Sequence, residues 1–268
     1  MKKILFEDLS VEFFYSLEYD ETFQIIYNEL NFYFKSFLKE DNDNLIFFSN
    51  GAVDRKKKTP PVFMRSSWSE DIKANCIFID DRTIHDTILR IGWGVGVKSR
   101  HYLNDYSMIA KKITTILNIK EQNVFYCGSS AGGFMSMLLA SMHKDTTAIV
   151  NNPQTAVLEF NKSHVKELCE TIFPNMSKEE ILIEYAARLN VVDAFDQSDY
   201  LPSLYYLQNR KCDRDMETQY KPFIQGLKRK NVSESKFTYI LYNDYEKGHE
   251  PLLKNDFIKE VHKIILNC

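Results

Sequence analysis

The five residues Gly128-Ser129-Ser130-Ala131-Gly132 stand between a short apolar run, Asn123 to Cys127, and an apolar stretch at helical spacing. The chain has nine glycines in 268 residues, and three of them fall at positions 128, 132 and 133. A strand that turns at once into a helix forces the residue at the vertex into a strained backbone conformation. It also presses the residues two before and two after the vertex against one another, so those positions must be nearly free of side chain. Gly128 and Gly132 meet that demand, and Gly133 would let the new helix lie close to the neighbouring strand. The vertex residue, Ser130, then projects its hydroxyl at the carboxyl end of the sheet, where open α/β sheets place their sites.

The rest of the chain repeats the strand-then-helix rhythm. Short runs rich in β-branched and aromatic residues at 45–49, 76–80, 123–127, 147–151, 204–208 and 237–241 predict buried strands. Amphipathic patterns over 104–118, 130–143 and 253–266 predict helices. Alternation of this kind predicts an α/β fold with a mostly parallel central sheet and helices on both faces. Two helical stretches, 157–173 and 178–189, interrupt it without a convincing strand. We therefore expect one domain, residues 1–268, with 155–199 as a helical, cap-like insertion near the site. Pro60 and Pro61 mark a loop.

Composition excludes several classes of function. A net charge of −3 gives no general attraction for nucleic acid, and the one dense basic run, Arg55-Lys56-Lys57-Lys58, reads as a solvated loop. No uncharged apolar segment is long enough for a transmembrane span, and Glu7, Asp8 and Glu12 interrupt what would be the core of a signal peptide. The five cysteines, at 76, 127, 169, 212 and 268, are scattered and form no CxxC. Free thiols in a reducing compartment follow, and with them a cytoplasmic location in which the Asn161 and Asn231 glycosylation triplets carry no meaning. The six histidines form no metal-ligand pattern, so no metal is expected. Gly92-Trp93-Gly94-Val95-Gly96 lacks the strand before it and the acid after it that a dinucleotide loop needs.

A serine at such a vertex becomes a nucleophile only beside a base that is itself oriented by a carboxylate. His249 follows Gly248 in a loop between the last predicted strand and the last predicted helix, and is the candidate base. His262 falls inside the amphipathic C-terminal helix and reads as structural. The loop after strand 204–208 offers two acids, Asp213 first and Asp215 in reserve. For an oxyanion, the candidate donors are the N–H of Ala131 at the helix start and that of Gly51 or Ala52 in the loop after strand 45–49. Arg65, Trp68 and Trp93, with Tyr102, either pack in the core or on the surface, the commoner role of lone aromatics, or form an aromatic and cationic rim that would contact a sugar or a carboxylated acceptor.

The elbow, the late aspartate and the late Gly-His together resemble the α/β-hydrolase superfamily over most of the chain. Within it, Phe125-Tyr126-Cys127-Gly128-Ser129-Ser130-Ala131-Gly132-Gly133, followed by Asn152-Pro153-Gln154, is similar to bacterial surface-polysaccharide proteins of that fold, capsule O-acetyltransferases among them. The resemblance implies a Ser130–His249–Asp213 triad and adds Gln154 to the candidate substrate contacts. It also implies acetyl-CoA as acyl donor, with no tightly bound cofactor, and a surface-polysaccharide hydroxyl as acceptor. An esterase acting on carbohydrate esters, or a silent binding scaffold, would share the same frame. A homo-oligomer or a polysaccharide-assembly complex is the expected setting.

Overall fold

The structure is a computed structural model that describes residues 1–266; Cys268 lies outside the described residues. Nine strands form one sheet: β1 (Lys2–Leu5), β2 (Thr22–Tyr27), β3 (Leu30–Phe37), β4 (Leu45–Ser49), β5 (Asn75–Ile79), β6 (Val124–Ser130), β7 (Thr147–Pro153), β8 (Ser203–Asn209) and β9 (Phe237–Tyr242). Their order across the sheet is β1-β2-β3-β5-β4-β6-β7-β8-β9. From β5 through β9 every pairing is parallel, whereas β3 is antiparallel to both β2 and β5.

The six predicted strands are all present. Sequence reading missed β1, β2 and β3, which lie ahead of the alternating region. The β2–β3 hairpin turns through Asn28 and Glu29, both at positive φ, without the glycine that usually announces such a turn. These strands extend the sheet at one edge, away from the elbow.

Side chains along the central strands alternate between two cores, as period-two geometry requires. Phe47, Ile77, Tyr126, Val150 and Tyr206 face one core, and Ile46, Phe78, Phe125, Ile149 and Leu207 face the other. The first core is covered by α1 (Val11–Tyr15), α2 (Tyr102–Ile116), α3 (Ala131–Met142), α6 (Val191–Asp196) and α8 (Lys221–Arg229). On the second lies α9 (Lys254–Ile265), through Phe257, Ile258, Val261, Ile264 and Ile265. Because both faces are buried, the strands read as continuous apolar runs.

Between β7 and β8 the chain forms a short 3-10 turn, Val157–Glu159, then α4 (Lys162–Ile172), α5 (Lys178–Leu189) and α6. Ser177 and Glu180 close a reciprocal capping box at the start of α5. Arg188 ties this segment to the loop ahead of α2, donating to the carbonyls of Val95, Val97 and Lys98. The basic run is only partly the solvated loop expected. Lys56, Lys57 and Lys58 are exposed, but Arg55 donates to the carbonyls of Ile84, Thr87 and Leu89 and pins its loop to the next.

Candidate functional site

Ser130 sits at the end of β6 with φ 55° and ψ −126°, a conformation that a residue with a side chain adopts only where its surroundings enforce it. The glycines show how it is enforced. A β-carbon on Gly128 would stand 2.3 Å from the Gly132 carbonyl carbon, and one on Gly132 would stand 2.4 Å from the Ser49 carbonyl oxygen. One on Gly133 would fall 2.6 Å from Pro153 Cβ, so α3 rests against the end of β7 as its glycine implied. The β6–β7 register slips between Ser129 and Ser130, and the Gln154 N–H donates to the Ser130 carbonyl at 3.0 Å.

His249 Nε2 lies 2.9 Å from Ser130 Oγ, and its Nδ1 lies 2.6 Å from Asp215 Oδ2. The acid that reaches the histidine is therefore Asp215, and the first-choice Asp213 is corrected. The reason is local. Residues 213–215 form the opening helical turn, α7 (Asp213–Asp215), which runs on through a π turn into α8, and on it positions two apart point to nearly opposite sides. Asp215 turns inward and is 3% exposed, whereas Asp213 faces solvent.

Three buried asparagines hold the histidine loop; sequence reading assigned none of them this role, and Asn152 entered only as part of the Asn152-Pro153-Gln154 element. Asn209, the last residue of β8, donates to the Asp244 and Gly248 carbonyls and accepts from the Lys211 and Asp244 N–H groups. Asn152 donates to the carbonyls of His249 and Glu250 and accepts from the Asn209 N–H at 2.8 Å. Asn151 accepts from the Leu252 N–H at 2.7 Å and donates to the Tyr242 hydroxyl. The available signal was two adjacent amides at the end of a strand whose preceding residues, Ala148 to Val150, are apolar, since a buried amide must find partners. Gly248, at φ 53°, makes the turn into His249.

Gly51 faces the elbow: a β-carbon there would lie 3.9 Å from Ser130 Cβ and 3.6 Å from the Ser129 carbonyl oxygen. The preceding Asn50 fixes this loop by donating to the Val62 carbonyl and accepting from the Met64 N–H at 2.9 Å. Ala52 is exposed, and Ala131 begins α3 directly behind the serine.

Of the rim candidates, two aromatics take the packing role instead. Trp93 and Tyr102 belong to the core, and Trp93 donates its indole N–H to Gln154 Oε1 instead of reaching solvent. Gln154, completely buried, donates Nε2–H to Ser130 Oγ at 2.9 Å. Arg65 and Trp68 are partly exposed, with the guanidinium 5.2 Å from the Trp68 ring and 5.0 Å from the Phe257 ring. Arg65 Nη2 donates to Ser129 Oγ at 2.9 Å, and burial pushes its pKa down. His262 accepts from the Lys73 N–H and anchors α9, in line with a structural role.

Phe160, just past the 157–159 turn, overhangs the site with its ring 6.3 Å from that of His249. Beside it opens a groove of about 760 Å³ whose lining includes Lys162, Lys166, Lys178, Arg214 and one acid, Glu159. Arg214 lies 4.8 Å over the Phe160 ring, and Lys178 pairs with Glu159 at 3.1 Å. Among the described residues no helix is long and apolar enough to cross a membrane.

No protein-family profile matches the chain, and no curated protein matches it in sequence. Solved structures do match. The capsule O-acetyltransferase of Neisseria meningitidis serogroup A superposes with a TM-score of 0.64 at 13% identity, covering 90% of this chain and 96% of the other. A variant of that enzyme in complex with CoA gives a TM-score of 0.65. An S-formylglutathione hydrolase from Agrobacterium tumefaciens gives 0.63 at 12% identity, over 92% of this chain and 94% of the other. The glycosylation-associated Gap123 complex from Streptococcus agalactiae gives 0.63 at 13% identity, over 92% of this chain and 46% of that one. The chain has the α/β-hydrolase fold.

Proposed function

We propose that this protein is a serine acyltransferase that moves an acyl group, acetyl in the first instance, from a thioester donor to a carbohydrate hydroxyl. The observation that carries the reading is the unbroken hydrogen-bond chain Ser130–His249–Asp215 on a strained elbow. Neutral His249 accepts the Ser130 proton at Nε2 while Asp215, held at Nδ1, orients the ring and stabilises the imidazolium that forms. Oγ bonds to the thioester carbon, the carbonyl electron pair moves onto oxygen, and the N–H groups of Ala131 and of Gly51 or Ala52 receive that charge. Collapse expels the thiolate, which takes the proton back from His249. The sugar hydroxyl then repeats the sequence on the acyl-serine, giving its proton to His249 and releasing Ser130.

The groove beside Phe160 supports a phosphorylated donor such as acetyl-CoA. Lys162 and Arg214 have no carboxylate within ion-pair distance among the described residues, and they flank the aromatic ring next to His249. Unpaired cations beside an aromatic ring that neighbours the base suit the phosphates of such a donor. The likeness to the capsule O-acetyltransferase supports a bacterial surface polysaccharide as acceptor, and the likeness to the Gap123 complex supports work within a protein assembly. The four described cysteines are all unpaired, which fits a reducing cytoplasm.

Intact-protein mass spectrometry with acetyl-CoA, with and without bacterial polysaccharides, tests the reading on the wild type and Ser130→Ala. A Ser130-dependent acetyl adduct discharged onto glycan supports the transferase. Hydrolysis of simple esters through Ser130 without transfer makes the protein an esterase. Failure of an active-site phosphonate to label Ser130 leaves a binding scaffold.

A further inference from the structure

Gln154 and Trp93 form a buried relay that ends on the nucleophile, and nothing in the proposed triad or oxyanion site uses it. The orientation of the Gln154 amide follows from chemistry. Indole N–H can only donate, so the atom facing Trp93 Nε1 must be the carbonyl oxygen Oε1, and the NH₂ must face Ser130. Ser130 Oγ in turn carries one proton, directed to His249 Nε2 at 2.9 Å, which leaves an oxygen lone pair to accept from Gln154 Nε2–H at 2.9 Å. Both side chains are sealed from water, so no solvent molecule competes for these positions.

We propose that Gln154 is a catalytic residue that stabilises Ser130 Oγ as the leaving group when the acyl-serine breaks down, and that Trp93 is its positioning residue. The inference rests on Ser130 being the nucleophile. During acylation the amide bonds to Oγ both before and during attack, so it gains little. In the acyl-serine, Oγ is an ester oxygen and a poor acceptor. As the incoming hydroxyl adds and the tetrahedral intermediate collapses, the Oγ–carbon bond breaks and its electron pair returns to Oγ, which takes the proton from His249. A donor held against Oγ is then bound more tightly in the transition state than in the state before it, which is the condition for acceleration. Gln154 therefore acts on deacylation and not on acylation.

The test separates the two half-reactions with p-nitrophenyl acetate, reading the nitrophenol burst for acylation, the steady state for turnover, and acetyl-Ser130 by intact mass. Two variants are compared with wild type, Gln154→Met and Gln154→Leu, both of which remove the donor while filling a similar volume with apolar atoms. We expect deacylation to fall at least about tenfold in both, with the burst rate changed less than about threefold and acetyl-enzyme accumulating. Trp93→Phe should shift the same ratio by a smaller factor, because the amide is then free to turn. Equal loss in both half-reactions, or no change in their ratio, in any variant that keeps wild-type circular dichroism would overturn the proposal and leave Gln154 as packing. Wild-type enzyme that forms no adduct at Ser130 with either ester or phosphonate removes the nucleophile assignment itself.

Discussion

Asp215 Oδ2 lies 2.6 Å from His249 Nδ1 although 34 residues separate them, and the contact joins the segments that follow two neighbouring parallel strands. Asp213, two residues earlier on the same helical turn, faces solvent. Asp215→Asn should lower kcat by about 10⁴, because the amide can hold the imidazole in the wrong tautomer. Asp213→Asn should leave ester turnover within about twofold of wild type. Parallel steady-state kinetics on the two variants decide the assignment, and equal effects would remove Asp215 from it.

The strain at Ser130 predicts an inversion of the usual order of side chains. Backbone in this region costs a residue with a β-carbon about 1–3 kcal/mol, a cost glycine escapes. Both Ser130→Ala and Ser130→Gly should abolish turnover. Ser130→Gly should melt above Ser130→Ala, although glycine is ordinarily the less stable choice, and thermal unfolding of the pair measures it.

Gly132→Ala should be destabilising by more than about 1 kcal/mol, since its β-carbon would fall 2.4 Å from the Ser49 carbonyl oxygen, a backbone atom with no freedom to withdraw. The displaced loop carries Gly51, so phosphonate labelling of Ser130 should slow as well. A folded Gly132→Ala protein with wild-type Tm and labelling rate would contradict this account of the elbow.

If the groove beside Phe160 seats donor phosphates, reversing its charge will weaken donor binding and leave Ser130 chemistry intact. Lys162→Glu combined with Lys178→Glu should raise KM for acetyl-CoA about tenfold, with the increase shrinking at high salt. Hydrolysis of p-nitrophenyl acetate, which carries no phosphate, should stay unchanged. An unaltered KM for acetyl-CoA would place the donor elsewhere.

His143 ties stability to pH. Burial, helped by Lys111, lowers its pKa from 6.5 to about 4, with Glu121 opposing, and Nδ1 shares a 2.8 Å hydrogen bond with the Tyr126 hydroxyl. The unfolded chain binds this proton first as pH falls, so the contribution is complete above about pH 6.5 and is lost progressively toward pH 4. His101, lowered by burial and Arg188 to about 3, acts with the same sign. Tm should fall steadily over that window, and His143→Gln should flatten the slope, as scanning calorimetry at several pH values will show.

What was legible in the sequence is what short-range sterics and period decide. The elbow could be read from Gly128, Gly132 and Gly133 because the clash they avoid is between residues within a few positions, and the central strands could be read because both faces are buried. His249 stood out as a histidine behind a glycine in a late loop. The first three strands were less legible, since their hairpin uses Asn28 and Glu29 at positive φ in place of glycine.

Tertiary structure alone decided which aspartate meets His249, because the choice depends on how one turn of α7 faces a loop whose position is set by Asn152 and Asn209. It also decided between rim and core for Trp93, placing it in the core, where its indole N–H orients Gln154 against the serine. A linear sequence specifies which groups can donate and accept. Their pairing depends on the directions in which packed strands and turns bring them together, and those directions exist only once the two cores have closed on the sheet.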